Sequence, residues 1–325
     1  MPDIAVNYLG MKLKSPVIVS SCGLTSTSEK VRLLEDAGAG AVVLKSLFEE
    51  QINYEAGSLI MNHDYPEAED YIKNYTKGHS VENYLNLISE SKKAVSIPVI
   101  ASINCVSVSD WTGFSKRIEE AGADALELNV YFLPTDKFAS PARFEDIYYD
   151  LARKITGLVN IPVSVKLGNH FTNVAGVVDR LYSLGIKGVV LFNRFYEPDI
   201  DIERMKLTTA DVFSTASDLR HSLRWVAMVS DKVSQIDISA STGIHSYEAV
   251  VKQLLAGAKS TQVCSLLYRN GINEIASLTN GLRDWMKRKG YRTIDEFRGK
   301  MSYKNIPDPS VYERSQFMKY FSNIH

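Results

Sequence analysis

Five side chains bring charge or paired hydrogen-bonding capacity to the end of an otherwise greasy run. They are Lys45 in VVLKS (42–46), Asn104 in VIASIN (99–104), Asn129 in LELNV (126–130), Lys166 in VSVKL (163–167) and Asn193 in VVLFN (189–193). Desolvating an ammonium is costly, so each lysine must reach a carboxylate, an anionic ligand or water. Asparagine offers a donor and an acceptor together. A ring of such groups suits a planar heterocycle with alternating N–H and C=O edges, such as a flavin or a pyrimidine. The plainer alternative is that Lys45 and Lys166 cap nearby carbonyls or pair with Glu127, itself a strand residue. A second set is small: Ser20, Ser21, Cys22 and Gly23 after one run, Ser46 beside Lys45, Ser241, Thr242 and Gly243 in ISASTGIHS (238–246), and Cys264 and Ser265 in QVCSLLYRNG (262–271). Small residues let backbone N–H groups approach a phosphate, although ordinary tight turns use them too.

The elements that must position these groups repeat one grammar. A helix end, a Gly-containing turn and an apolar strand recur at 33–46, 117–130, 181–193 and 254–265, with Gly38, Gly122, Gly185 and Gly257 where a helix end needs a left-handed residue. Three strands start at proline, at 15–21, 97–104 and 161–168, where no ladder donor is needed. SQIDISAS (234–241) is the eighth strand. Continuously apolar strands alternating with helices imply a parallel sheet covered on both faces. Eight of them with no linker imply an α/β fold of the (β/α)8 TIM-barrel type, a parallel eight-stranded barrel spanning 1–325 as one domain; a doubly wound open sheet is the competitor. In such a barrel chemistry sits at the C-terminal strand ends, and the loops after the last two strands commonly cradle phosphate. The hairpin-like start (4–16) would close the bottom. The segment 271–290 places Ile272, Ile275, Leu278, Leu282 and Trp285 on one stripe as the eighth barrel helix.

Composition narrows the function classes. The 325 residues are 45% hydrophobic and 23% charged, so a packed core is affordable without staples. The net charge is 37 − 38 = −1, which points to neither nucleic acid nor an anionic membrane as partner. Three scattered cysteines with no CxxC argue against a disulfide framework, a metal site or an iron–sulfur cluster. No apolar run approaches a membrane span and the N-terminus lacks a signal core, so a soluble cytoplasmic protein is expected. No GxGxxG fingerprint precedes a helix.

Taken in order, SPVIVSSCGLT, VVLKS, ELNV, IPVSVKLG, ASTGIHS and QVCS resemble the dihydroorotate dehydrogenases of the soluble class, and also the flavin domain of dihydropyrimidine dehydrogenases. The resemblance spans roughly residues 4–300; the ordered set carries it, no single motif does. It implies an FMN-binding barrel and a likeness to homodimers. It implies that Ser21, Cys22 and Gly23 approach the ring, that Lys45, Ser46, Asn104, Asn129 and Lys166 line it, and that Ser241, Thr242, Gly243, Cys264 and Ser265 hold the phosphate. Asn129 and Asn193 would face a small planar substrate such as a dihydropyrimidine. A cation near the N1–C2=O edge stabilises the anionic reduced flavin, the usual contribution of a protein to a redox cofactor, and Lys45 is therefore also a catalytic candidate.

The chain departs from the family at its catalytic loop. Members of the soluble class read Asn-x-Ser-Cys-Pro-Asn after the fourth strand, with cysteine as base and serine in membrane-linked relatives. Here the run is Asn129-Val130-Tyr131-Phe132-Leu133-Pro134-Thr135-Asp136, so Phe132 stands where the base belongs and the second asparagine is missing. General-base catalysis is worth about two to four orders of magnitude, and phenylalanine cannot accept a proton. Tyr131 is the leading substitute; Asp136, Cys105 and His170 read more readily as structural. The long segment 48–80 has the length of an active-site lid, with Asn62 and His63 as candidates to reach the substrate, or else it is a surface excursion. The expected function is FMN-dependent oxidation of dihydroorotate or a related CH–CH substrate in pyrimidine metabolism, with a small molecule or a partner chain as electron acceptor. The alternatives are a family member that keeps the flavin but has lost the parent activity, taking another substrate or a partner, and a flavin-free barrel enzyme using its lysines on a phosphorylated substrate.

Overall fold

The structure, a computed structural model, describes residues 1–48, 81–105, 112–130, 133–195 and 197–314. Asn62, His63, Tyr131 and Phe132 lie outside the described residues, as does the side chain of Cys105.

Eight parallel strands close on themselves: β3 (Val17–Val19), β4 (Ala41–Val43), β6 (Val99–Cys105), β7 (Ala125–Val130), β8 (Val163–Leu167), β9 (Gly188–Leu191), β12 (Asp237–Ser241) and β13 (Ser260–Val263). Each pairs with the next in chain order, β13 returns to β3, and β4 joins β6, which completes the cylinder expected from the repeat. The two-residue strand β5 (Leu47–Phe48) continues past β4 and pairs with Ile103 and Asn104. Helices between the strands cover the outside, among them α1 (Ser28–Asp36), α2 (Val81–Ala94), α3 (Thr112–Glu120), α4 (Pro141–Thr156), α5 (Val174–Ser183), α6 (Leu219–Lys232), α7 (Tyr247–Ala256), the short α8 (Ser265–Asn270) and α9 (Glu274–Lys289). In α9, Ile275, Leu278 and Leu282 are buried, with Ile272 and Trp285 packed at the edge of the core, so the stripe seen in the sequence faces inward.

The turns follow the grammar of the repeat. Gly38, Gly122, Gly185 and Gly257 all take positive φ. At Gly257 (φ +119°) the N–H closes α7 onto the carbonyls of Gln253 and Leu254, a conformation that strains any side chain. The antiparallel pair β1 (Val6–Tyr8) and β2 (Met11–Leu13) lies across the N-terminal strand ends. Leu9 N–H donates to Asp237 Oδ2 at 2.7 Å, and a Cβ at Gly188 would sit 2.6 Å from Leu9, so the hairpin seals the bottom at close quarters.

Every described barrel strand is almost fully buried, yet the two faces differ. Side chains alternate with period two. Ser102 and Asn104, Glu127 and Asn129, Ser164 and Lys166, Ser239 and Ser241, and Ser260 and Gln262 each share a face, while valines, leucines and isoleucines take the other and meet the helices. The polar face is the interior one, because Lys166, Ser20, Gln262 and Glu127 meet across it. The register sets Asn104 beside Asn129 and Asn129 beside Lys166, so three of the predicted groups stand side by side on neighbouring strands.

Candidate functional site

A cavity of about 550 Å³ opens at the C-terminal end of the barrel, within the range of small-ligand sites. Its walls include Ser20, Ser21, Lys166, Asn193, Ser241, Thr242, Gly243, Gln262, Cys264 and Ser265. These residues leave five different strands, so the fold brings together groups up to 245 positions apart along the chain (Ser265 less Ser20).

Lys166 forms the floor. It is 6% exposed; its Nζ donates to Ser20 Oγ at 2.9 Å and to Gln262 Oε1 at 3.2 Å, and lies 3.9 Å from Glu127 Oε1. Gln262 Nε2 donates to Glu127 Oε2 at 2.6 Å. Burial pushes the Glu127 carboxyl above the usual carboxylate range, against the opposing pull of Lys166 and Gln262. The sequence alternative that pairs Lys166 with Glu127 therefore holds, and the ammonium still borders the cavity. Beside it Asn193 Nδ2 donates to Asn129 Oδ1 at 2.8 Å, and the Asn193 N–H is fixed to the Leu167 carbonyl. Among the described residues, buried Asn104 Oδ1 meets no hydrogen-bond donor. An unmet buried acceptor costs about 1–3 kcal/mol, so a donor edge arriving there is favoured.

A chain of hydroxyls leads away from Ser21 at the cavity edge. Ser21 Oγ lies 2.9 Å from Ser46 Oγ and accepts the Ser46 N–H, and Ser46 Oγ lies 2.8 Å from Ser102 Oγ. Tyr84, on α2, receives the Ser102 N–H at 2.6 Å and donates to the Ser102 carbonyl. These bonds and the contact of Lys45 N–H with the Thr25 carbonyl fix the backbone that carries half-buried Lys45.

The loops after β12 and β13 are drawn tight. Thr242 (φ +74°) and Gly243 (φ +80°) are consecutive left-handed residues, and Thr242 Oγ1 donates to the Phe192 carbonyl. A Cβ at Gly243 would stand 2.2 Å from Leu219 N, so the turn fits directly against the start of α6 and only glycine is accommodated. Ser265 Oγ accepts the Ser214 N–H, and Ser214 Oγ lies 2.9 Å from His245 Nε2.

Cys22 and Cys264 both come to this end of the barrel and interact. Hydrogen bonding from Cys264 pulls the Cys22 thiol down to about 7 despite its burial; the same contact and burial push Cys264 up. Tyr268 leans over Gly23 and, chiefly through burial, is pushed up to about 12. Phe213 stacks on Tyr268 with ring centroids 5.5 Å apart. Arg194, bonded to Asp218, Glu197 and the Asp211 carbonyl, anchors the stretch around the exposed hairpin of β10 (Pro198–Asp201) and β11 (Lys206–Thr209) at the rim. His170 packs beside Phe171 and Phe195, and burial lowers its pKa.

Sequence reasoning missed Gln262, Tyr84, Phe213, Tyr268 and Arg194. Gln262 left a signal, a bulky amide inside a buried strand. The rings of Phe213 and Tyr268 carry no periodicity or motif that would single them out. Among the described residues there is no group of three potential metal ligands, and no helix is long and apolar enough to cross a membrane.

The lining brings together an ammonium on the floor, the amides of Asn193 and Gln262, and small residues in two tight loops, a set that suits a planar ligand carrying a phosphate. Residues 3–286 match the family model described as dihydroorotate dehydrogenase. The chain is 26% identical over 311 residues to a protein of Aeropyrum pernix provisionally named dihydroorotate dehydrogenase A (fumarate), covering 92% of this chain and 97% of that one. It is 25% identical over 309 residues to the dihydroorotate dehydrogenase B (NAD(+)), catalytic subunit, of Thermoplasma volcanium, covering 92% and 98%. It is 26% identical over 302 residues to the protein of that name from Methanosarcina acetivorans, covering 90% and 94%.

Proposed function

The chain belongs to the dihydroorotate dehydrogenase family, and from that premise we propose that it is an FMN-dependent oxidoreductase acting on a CH–CH bond of a small planar substrate of the dihydropyrimidine kind. The observation that carries this reading is the buried, partnered ammonium of Lys166 bordering a polar-edged cavity at the barrel mouth. When bound, FMN supplies the acceptor for a hydride from the substrate carbon.

The protein's own residues supply binding, orientation and shelter. Lys166 would bring positive charge to the ring, and Ser20 and Gln262 stop it from swinging into solvent. Asn104 would offer the ring an acceptor unmet among the described residues, and Ser21, Ser46 and Lys45 would hold its other side. The paired amides of Asn129 and Asn193 present one donor–acceptor edge to a heterocycle. Thr242, Gly243, Cys264 and Ser265 receive the phosphate, and Phe213 with Tyr268 keeps water from that side.

Phe132 in the catalytic loop supports a second reading, a member that keeps its flavin but works on another substrate or serves a partner. One experiment separates the two. The purified protein is loaded with FMN, its visible spectrum recorded, and dihydroorotate supplied with fumarate, NAD+ or a quinone. Yellow protein whose flavin is bleached by dihydroorotate supports the first reading. Yellow protein that dihydroorotate leaves unchanged supports the second. Colourless protein that takes up no FMN overturns both.

A further inference from the structure

Glu127 lies in the middle of β7, 1% exposed, one layer below the cavity. It does not line that cavity, whereas Lys166 and Gln262 do. A carboxylate buried this deeply is expensive unless it is compensated. Its compensation is specific: Oε2 accepts from Gln262 Nε2 at 2.6 Å, while Oε1, with no hydrogen-bond donor, faces Lys166 Nζ at 3.9 Å. The Gln262 amide is thereby locked one way round. With Nε2 spent on the carboxylate, Oε1 must face upward, where it accepts from both Lys166 and Ser20. Reversed, the amide would turn two donors on the ammonium and none on the carboxylate. An ammonium has three donors. Two are held by Ser20 and Gln262, so the direction of the third follows from those two.

We propose that Glu127 is the positioning residue of the cofactor seat: it fixes the Gln262 amide and counterbalances Lys166, and so determines how much positive charge the flavin ring feels. This rests on the flavin reading above. Replacing the carboxylate by an amide removes a negative charge from beneath the ammonium without changing the shape. The ring then sees more positive charge, and its electron-rich form gains stability relative to the oxidised form.

The test is a reductive titration of FMN-loaded protein against a reference dye, comparing wild type, Glu127→Gln, Lys166→Met and the double variant. At a fixed potential, E127Q is expected to raise the ratio of reduced to oxidised flavin at least tenfold, about 30 mV for a two-electron couple. In the K166M background the same change is expected to shift the ratio less than twofold, because burial without the opposing pull of Lys166 leaves the Glu127 carboxyl protonated and the swap then removes no charge. A purely structural Glu127 would lower stability and leave the ratio where it was. If E127Q does not fold, Glu127→Asp keeps the charge but withdraws it from Lys166 and Gln262, and is expected to move the ratio the same way by a smaller factor. An unchanged ratio in the folded variant, or an undiminished shift in the K166M background, overturns the inference while the flavin reading stands. Wild-type protein that takes up no FMN ends both.

Discussion

A thiol that hydrogen-bonds a second thiol titrates differently from one packed among hydrocarbons. Cys22 is drawn down to about 7 by Cys264, below the value of about 8.5 of an ordinary cysteine. The thiolate is the reactive form. Alkylation by iodoacetamide, followed by mass spectrometry, is expected at Cys22 ahead of Cys264, with a rate that rises to half its plateau near pH 7, and FMN is expected to suppress it. A half-rise near pH 8.5 or above would show that the pair does not interact in solution. Lys166 gives a second prediction at this scale. Lys166→Met strands Glu127 without its counter-ion, and breaking a buried pair costs about 3–5 kcal/mol; denaturant unfolding at pH 7 is expected to show a loss toward the lower end of that range, given the 3.9 Å separation. Adding Glu127→Gln removes the unpaired buried carboxyl, whether charged or forced to take up a proton, and is expected to restore most of the loss.

At the scale of elements, sequence periodicity reveals the strand and helix succession because a parallel strand must be apolar outward and a helix end needs its left-handed residue, as at Gly257. Lys166 and Asn129 are readable as site residues because a charged or amide group inside a buried strand has to be justified by a partner. What joins them is not readable. Gln262 lies 96 positions from Lys166 and 135 from Glu127, and its amide orientation is fixed by two residues that only barrel closure brings near. Tyr268 and Phe213 likewise meet through the packing of α8 against the stretch before α6. The turn after β12 shows how an element boundary constrains the site. Gly243→Ala would set a methyl 2.2 Å from Leu219 N at φ +80°, so α6 must retreat or the turn must open. The expected result is a loss of about 2 kcal/mol or more in stability, in the range of strained-backbone substitutions, and at least a tenfold weaker uptake of FMN by fluorescence quenching. Unaltered uptake would remove the turn from the proposed phosphate seat.

For the molecule as a whole, the closed cylinder makes cofactor binding and folding one linked equilibrium. The floor residues Ser20, Lys166 and Gln262 come from β3's end, β8 and β13, so an unfolded chain holds no seat. A ligand that binds only the folded form adds RT ln(1 + [L]/Kd), about 2.7 kcal/mol at a hundredfold excess over Kd. For a chain of this length, where 1 kcal/mol is worth roughly 1.5 °C, FMN at that excess is expected to raise the melting midpoint by about 3–5 °C. Riboflavin offers the same ring without the phosphate and tests the two tight loops separately. If Thr242, Gly243, Cys264 and Ser265 receive the phosphate, riboflavin at equal concentration is expected to give less than half the shift. Equal shifts would leave the ring as the sole anchor and move the phosphate out of the β12 and β13 loops. No shift with either ligand would mean that the polar floor serves the barrel's own packing, with Lys166 present to neutralise Glu127.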